Sequence, residues 1–310
     1  MTLPGFDDRP ILVEVAGHSD TGRTRTQNQD SFLVANLADP ADGVPPLRLG
    51  QGTSAQAGPS QGNVTLGPRG LLLLVADGMG GAAAGAVASA LGARTIHGTL
   101  SERWSADRDL TPARFASRLA EAVQAANAVL HERAQDQPEL EGMGTTATVV
   151  GVLEEYLYVA QVGDSRAYLF RDGQLTQITR DQSMVQNLVD AGQLTPEEAE
   201  ASDSRNVILQ AVGVAPTVDV DLTYQPLRKD DLLLLCSDGL SGVVHRDTLA
   251  SVLQTTPDLA EACRVLVELA NEGGGPDNIT TVLARFGGPR LDPPADGDIV
   301  GRRPFEAPGT

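Results

Sequence analysis

The sequence is short of cysteine, of aromatic residues and of positive charge, and each shortage excludes something. Cys236 and Cys263 are its two cysteines, at a spacing that suits no zinc site. Cys236 lies in a leucine-rich run and Cys263 in a helix-like one, so buried free thiols in a reducing cytoplasm are expected. Aromatic residues make up 4% of the chain. The core must therefore be built from Leu, Val, Ile and Ala, for which a hydrophobic content of 41% is sufficient. Lys and Arg fall well short of Asp and Glu, giving a net charge of −18. That balance argues against nucleic acid or an anionic membrane as a main partner. No run approaches the roughly 18 apolar residues of a membrane helix. The opening MTLPGFDDRP lacks the basic and apolar regions of a signal peptide.

The stretch Leu71 to Gly81, LLLLVADGMGG, is where the chain carries most information. Its apolar half suits a buried strand. An aspartate is rarely buried without a partner, because removing its water is costly. Asp77 is therefore expected at the strand exit, facing a cation, with glycines that let backbone approach a ligand. The design recurs at Leu232 to Gly242, LLLLCSDGLSG. A third candidate, Asp277, precedes the strand-like run Ile279 to Phe286. Asp-Gly is common in ordinary turns, but a repeat plus a third carboxylate at strand ends points to a hard cation with oxygen ligands.

Taken in order, residues 1–10 read as a terminal tail and 11–286 as one domain. Ile11 to Ala16 and Ser31 to Asn36 read as strands. Residues 39–70 have no apolar period and read as a mobile insertion loop. A small-residue helix is expected from about Ala82 to Leu100, and a second from Thr111-Pro112, a capping hydroxyl followed by proline, to about Ala134. Trp104 between them reads as a packing residue. Residues 147–170 read as one antiparallel meander, turning at Glu154-Glu155 and at Gly163-Asp164-Ser165. Residues 181–212 read as a small helical insertion, with Thr195-Pro196 starting one helix. Further strands are expected near Val218 to Tyr224 and at Leu232 to Cys236, and a helix over Leu259 to Asn271. Residues 287–310 show no core pattern and read as a disordered tail. The pattern as a whole predicts an α+β domain.

The motifs, in order, are RTQNQD from Arg25 to Asp30, DGMGG from Asp77, GTT from Gly144, GDSRAY from Gly163, SDGL from Ser237 and GPDNIT from Gly275. Together they resemble the type 2C, or PPM, metal-dependent protein serine/threonine phosphatases in their bacterial form. The resemblance implies a four-layer α-β-β-α sandwich of two antiparallel sheets flanked by helices, with 181–212 as its flap. It implies two Mn²⁺ or Mg²⁺ ions bridged by Asp77, one taking the carbonyl of Gly78 and the other held by Asp238 and Asp277. Asp30 would act through metal-bound waters, Asp164 would support a third, weaker ion, and Arg25 would grip the substrate phosphate. Attack would come from a water bridging the two ions, with no phospho-enzyme.

The chemistry needs these residue types. A phosphomonoester dianion repels hydroxide, and paired ions lower the pKa of a shared water and stabilise in-line displacement. Arginine's planar fork matches phosphate oxygens. Thr145 and Thr146 read as structural, and Arg166 as an ion-pairing residue. Met79 stands where many relatives carry a histidine, Gln29 where many have glutamate, and Gln182 and Ser202-Asp203-Ser204 depart from the family in the flap. The implied partners are phosphorylated proteins, among them a serine/threonine kinase, and the chain is expected to act as a cytoplasmic monomer. The rival expectation is a catalytically weak relative that binds phosphoproteins as a sensor.

Overall fold

The computed structural model describes residues 9–37, 48–51, 59–81, 83–202 and 204–305. Thirteen strands and seven α-helices are found among them. One sheet has the order β10 (Gln174–Gln177), β9 (Arg166–Arg171), β12 (Leu232–Cys236), β13 (Ile279–Gly287), β1 (Leu12–Asp20), β4 (Ser60–Thr65). The other runs β11 (Asp221–Pro226), β8 (Tyr156–Val162), β7 (Ala147–Leu153), β5 (Leu71–Met79), β2 (Asp30–Asn36), β3 (Arg48–Gln51), with the short β6 (Gly144–Thr145) paired to the end of β5. The paired neighbours are antiparallel.

The leucine runs show why two sheets stack. Side chains alternate across a strand. Leu72 and Leu74 face α1 (Ala84–Ala106) and α2 (Pro112–Asp136), while Leu71, Leu73 and Val75 face the opposite sheet. In β12, Leu233 and Leu235 enter the same inter-sheet layer. Leu232, Leu234 and Cys236 turn to the helical layer of α6 (Arg246–Thr255) and α7 (Leu259–Glu272). Both faces of each run are covered, so the sequence is continuously apolar rather than alternating. The result is the expected α-β-β-α sandwich. Trp104 closes the end of α1, fully buried against Phe115 with its indole N–H donating to the Arg69 carbonyl at 2.9 Å.

Four sequence expectations are revised. The stretch 147–170 is not one meander: β7 and β8 form a hairpin in one sheet, β9 pairs with β10 in the other, and Gly163-Asp164-Ser165 is the crossing between them. Part of the 39–70 loop is sheet, since β3 and β4 extend the edges beside β2 and β1; 38–47 and 52–58 lie outside the described residues, as does the 1–8 part of the N-terminal tail. Thr111 does not cap α2 with its side chain; its hydroxyl donates instead to Asp109. Finally, the tail from 288 to 305 is packed rather than disordered. Leu291 is buried in the inter-sheet core, and Phe305 meets Tyr158 and Tyr224 edge-on with its N–H donating to the Leu222 carbonyl.

In the flap, α3 (Met184–Asp190) and α4 (Pro196–Glu200) form, and α4 carries a full capping box between Thr195 and Glu198.

Candidate active site

Asp30 opens β2 and pairs in register with Asp77 near the end of β5. Asp164 sits in the crossing between sheets, Asp238 at the first turn of α5 (Asp238–Ser241) after β12, and Asp277 just before β13. Strand direction brings all five to one end of the sandwich. Asp77 is not the last residue of its strand, because β6 pairs on through Gly78 and Met79.

Close backbone approach fixes two of these positions. A Cβ on Gly78 would lie 2.0 Å from the Gly85 carbonyl oxygen and 2.7 Å from that of Gln29. A Cβ on Gly239 would lie 1.9 Å from the Asn278 carbonyl oxygen. Only glycine fits beside Asp77 and Asp238, which is why each Asp is followed by Gly.

Ser237, Thr280 and Asn278, to which the sequence reading gave no role, and Thr145 and Thr146, which it read as structural, hold the site in place. Ser237 and Thr280 hydroxyls donate to Asp30 Oδ2 at 2.7 and 2.6 Å. Asn278 staples the Arg25 segment to β13: its amide donates to the carbonyls of Thr21 and Gln27, and its oxygen accepts from the Gln29 N–H at 2.8 Å. The Asp77 N–H donates to Thr146 Oγ1, and the Asp77 carbonyl accepts from the Thr146 N–H and the Thr145 hydroxyl. The signal was adjacency: each supporting residue lies within three positions of a motif aspartate or inside a motif. Gln182, one of the departures, ties the flap to the crossing loop by accepting from the Gly163 N–H at 2.9 Å. Arg166 forms an ion pair with Asp181, with Nη2 at 2.7 Å.

The electrostatics are those of a site short of positive charge. Burial pushes Asp30 up to about 7, against the pull of its two hydroxyl donors and with further push from Asp238 and Asp277. Burial raises Asp164 to about 8, with Asp238 and Asp181 adding to it. Asp77 is raised well above the carboxylate range by burial and then by Asp30, Asp238, Asp164 and Asp277. Asp238 is raised by burial and by Asp277, although a hydrogen bond with Asp77 opposes this. Two carboxyl groups so placed can share one proton, where a cation would otherwise stand between them.

The buried oxygens Asp30 Oδ1, Asp164 Oδ1 and Asp238 Oδ1 have no hydrogen-bond partner. A buried unpaired carboxylate is costly, and hard divalent cations take oxygen donors of this type. The donor set therefore fits the group implied by the motifs. One arrangement differs from expectation. Among the described residues no three His, Cys, Asp or Glu side chains close on one point; Asp277 is instead paired with Arg25, whose Nη2 donates to Asp277 Oδ2 at 2.7 Å.

Residues 61–283 match the family model described as Protein phosphatase 2C. Over 213 residues, 69% of this chain, the sequence is 44% identical to the serine/threonine protein phosphatase PstP of Mycobacterium tuberculosis strain CDC 1551 / Oshkosh. That match spans 40% of the relative's own length, less than half of it. The serine/threonine phosphatase stp of Listeria welshimeri is 37% identical over 68% of this chain and 83% of that one. A solved structure of the PstP catalytic domain, in complex with 2 manganese ions, superposes with a TM-score of 0.68 at 37% identity, covering 89% of this chain and 99% of that one. Sheet order, site geometry and these likenesses agree: the chain belongs to the protein phosphatase 2C family.

Proposed function

We propose that the protein hydrolyses phosphoserine and phosphothreonine in proteins, using two divalent cations, Mn²⁺ or Mg²⁺. The observation that carries this reading is the set of three buried aspartate oxygens without partners, on Asp30, Asp164 and Asp238, gathered from three separate segments at one end of the sandwich. Asp77, Asp238, Asp277 and the Gly78 carbonyl would hold the two ions, with Asp30 behind them and Asp164 beside a third. Bound there, the ions supply the positive charge that a phosphate dianion requires and a water acidic enough to attack it.

The chain's own residues do the rest. Arg25, half exposed at the mouth, turns a guanidinium fork toward the substrate phosphate. Ser237 and Thr280 hold one oxygen of Asp30 so that the other points into the site. Thr146 holds the Asp77 backbone and, through a 2.7 Å hydroxyl contact, Ser165 beside Asp164. Met79, where many relatives carry a histidine, offers no proton, and none of the four histidines lies in a site motif.

Two buried free cysteines support a reducing cytoplasm as the place of action. Among the described residues no helix is long and apolar enough to cross a membrane. We read the protein as a monomer whose substrates include a serine/threonine kinase. The test is hydrolysis of a small aryl phosphate and of a phosphothreonine peptide, with Mn²⁺ and with chelator, beside Asp238→Asn. Metal-dependent turnover lost in the variant is expected. Metal binding without turnover in the unaltered protein would replace this reading with that of a phosphoprotein-binding sensor.

A further inference from the structure

Asp164 stands between two anchored neighbours in the crossing from β8 to β9. Ser165 is anchored from the core. Its hydroxyl meets Thr146 Oγ1 at 2.7 Å, and its carbonyl accepts from Thr148 Oγ1 at 2.9 Å and from Gln161 Nε2 at 2.8 Å. Gly163 is anchored from the flap. The Gln182 N–H donates to the Gly163 carbonyl at 2.9 Å, and Gln182 Oε1 accepts from the Gly163 N–H at 2.9 Å. Gln161 Nε2 also reaches the Gly163 carbonyl, at 3.1 Å, but it is the Gln182 side chain that satisfies the Gly163 N–H. Gly163 turns the chain at a φ of 97° and lies so close over Thr146 that a Cβ there would come within 2.7 Å of Thr146 Cγ2.

Gln182 also joins the two sides of the flap stem. Its carbonyl accepts from the Leu209 N–H at 2.8 Å and its Nε2 donates to the Asp219 carbonyl at 3.3 Å, while Ser183 beside it bridges to Ile208. On its other side Asp181 is buried and paired with Arg166 of β9. The stem therefore converges on one residue, and that residue grips the peptide immediately before Asp164. Asp164 Oδ1 is buried with no hydrogen-bond partner. The aim of that oxygen is set by the backbone on either side rather than by a bond of its own. A cation ligand has to be held to within about half an ångström, so the grip on Gly163 bears directly on what Asp164 can hold.

We propose that Gln182 is a positioning residue for Asp164: by clamping the Gly163 peptide it aims the Asp164 carboxylate, and it makes the cation affinity of Asp164 depend on the flap stem. The inference rests on the third ion of the phosphatase reading and adds to it the residue that sets that ion's affinity. Gln182 acts through Gly163, not by touching the ion or the substrate.

The experiment is a calorimetric Mn²⁺ titration of the whole chain, unaltered and as Gln182→Met, Gln182→His, Asp164→Asn and the Gln182→Met/Asp164→Asn pair. Methionine keeps the length of the side chain without a strong acceptor, whereas a neutral imidazole offers a ring nitrogen. The unaltered protein is expected to show a tight phase and a weaker one. Gln182→Met should weaken the weaker phase by about five- to tenfold, the effect of leaving a buried N–H without its acceptor, and leave the tight phase within about twofold. Gln182→His should restore the weaker phase to within about threefold. Asp164→Asn should abolish the weaker phase, and adding Gln182→Met to it should then change nothing further, because the two residues act as one unit. The Mn²⁺ concentration that half-saturates aryl phosphate hydrolysis should rise in Gln182→Met by the same factor as the calorimetric constant. The assignment is overturned by a weaker phase that is absent from the unaltered protein, that Gln182→Met leaves alone or that survives Asp164→Asn. A further loss of binding when Gln182→Met is added to Asp164→Asn would overturn it equally, as the mark of a general structural role. Mn²⁺ binding as expected but without turnover of any ester by the unaltered protein would instead overturn the phosphatase reading and leave the role of Gln182 standing.

Discussion

Arg25 Nη2 and Asp277 Oδ2 stand 2.7 Å apart, and the other Asp277 oxygen accepts from the Asn278 N–H at 2.8 Å. Both oxygens of Asp277 are thus engaged, unlike the buried oxygens of Asp30, Asp164 and Asp238. The residue expected to grip phosphate and the residue expected to hold an ion are each other's partner, so each must release the other to do its work. Arg25→Ala is predicted to lower kcat/KM for a small aryl phosphate by about 10–100-fold, the loss of charge-assisted hydrogen bonds to the ester. The same change should tighten Mn²⁺ binding measured by calorimetry, because Asp277 no longer has a competing cation. Arg25→Lys should recover little of the rate, since an ammonium cannot present the fork. Weaker Mn²⁺ binding in Arg25→Ala would show that the pair does not compete with the metal.

Asp238→Asn removes a carboxylate whose Oδ1 is buried and unpartnered. It should raise the Tm of chelator-treated protein, by relieving repulsion among the aspartates, while lowering Mn²⁺ affinity by at least about tenfold. In the unaltered protein Mn²⁺ must displace protons from carboxyls whose pKa values lie above the normal range. Affinity should therefore rise between about pH 6 and pH 8. An affinity independent of pH would mean that the aspartates are already ionised without the metal.

How much of this was legible in the sequence depended on whether a feature was periodic or locally repeated. The leucine runs of β5 and β12 gave strands because four apolar residues followed by Asp-Gly can be buried on both faces only within a layered sheet. Asp77 and Asp238 were found because each follows such a run, Asp277 because it precedes a strand-like one, and Asp30 and Asp164 only through the family resemblance. The two-sheet stacking was not derivable from pattern, because the alternation of Leu72 and Leu74 against Leu71 and Leu73 is invisible when both faces are apolar. The crossing at Asp164 was read as a meander because a three-residue hairpin turn and a three-residue change of sheet look alike in sequence. Asn278 was missed as a staple because its three partners lie about 250 residues away.

Asp107, at the turn between α1 and α2, accepts from Arg118 at 2.7 and 2.9 Å and from Arg114 at 3.2 Å through both oxygens. Hydrogen bonds from Arg118, and then from Arg114, hold its carboxyl well below the usual range. A lowered folded-state pKa gives stabilisation that is complete above the unfolded value of about 4 and is lost as pH falls through the folded one. Asp107→Asn should therefore lower Tm at about pH 7, by roughly 2–4 °C for an interaction near 1 kcal/mol. The gap to the unaltered protein should narrow at about pH 3 and below. A gap constant with pH would mean that the arginines act by packing rather than by charge.

The segment after β13 is held by single anchors rather than by a period. Leu291 enters the inter-sheet core, Asp298 accepts from Arg228 at 2.6 and 3.0 Å, and Arg302 donates to Asp221 at 2.9 and 2.7 Å. The Tyr224 N–H donates to the Arg303 carbonyl and the Phe305 N–H to the Leu222 carbonyl, both at 2.9 Å. The tail thereby supplies an outer partner to β11, which would otherwise be an open sheet edge. Truncation after Gly287 removes the buried Leu291 and uncovers the tyrosine cluster at once. Tm should fall by about 5–15 °C, and Phe305→Ala alone should account for about 1–2 kcal/mol of the loss. The aspartate cluster lies in strands and turns that the tail does not build, so hydrolysis of a small ester below the new Tm should stay within about twofold. The exposed β11 edge should also make the truncated protein prone to self-association, measurable by light scattering as mass that grows with concentration. An unchanged Tm would show that the anchors contribute nothing to the folded state. Loss of small-ester turnover at full stability would show that the tail reaches the site through the flap, where Arg302 lies close enough to Asp190 for the two charges to interact.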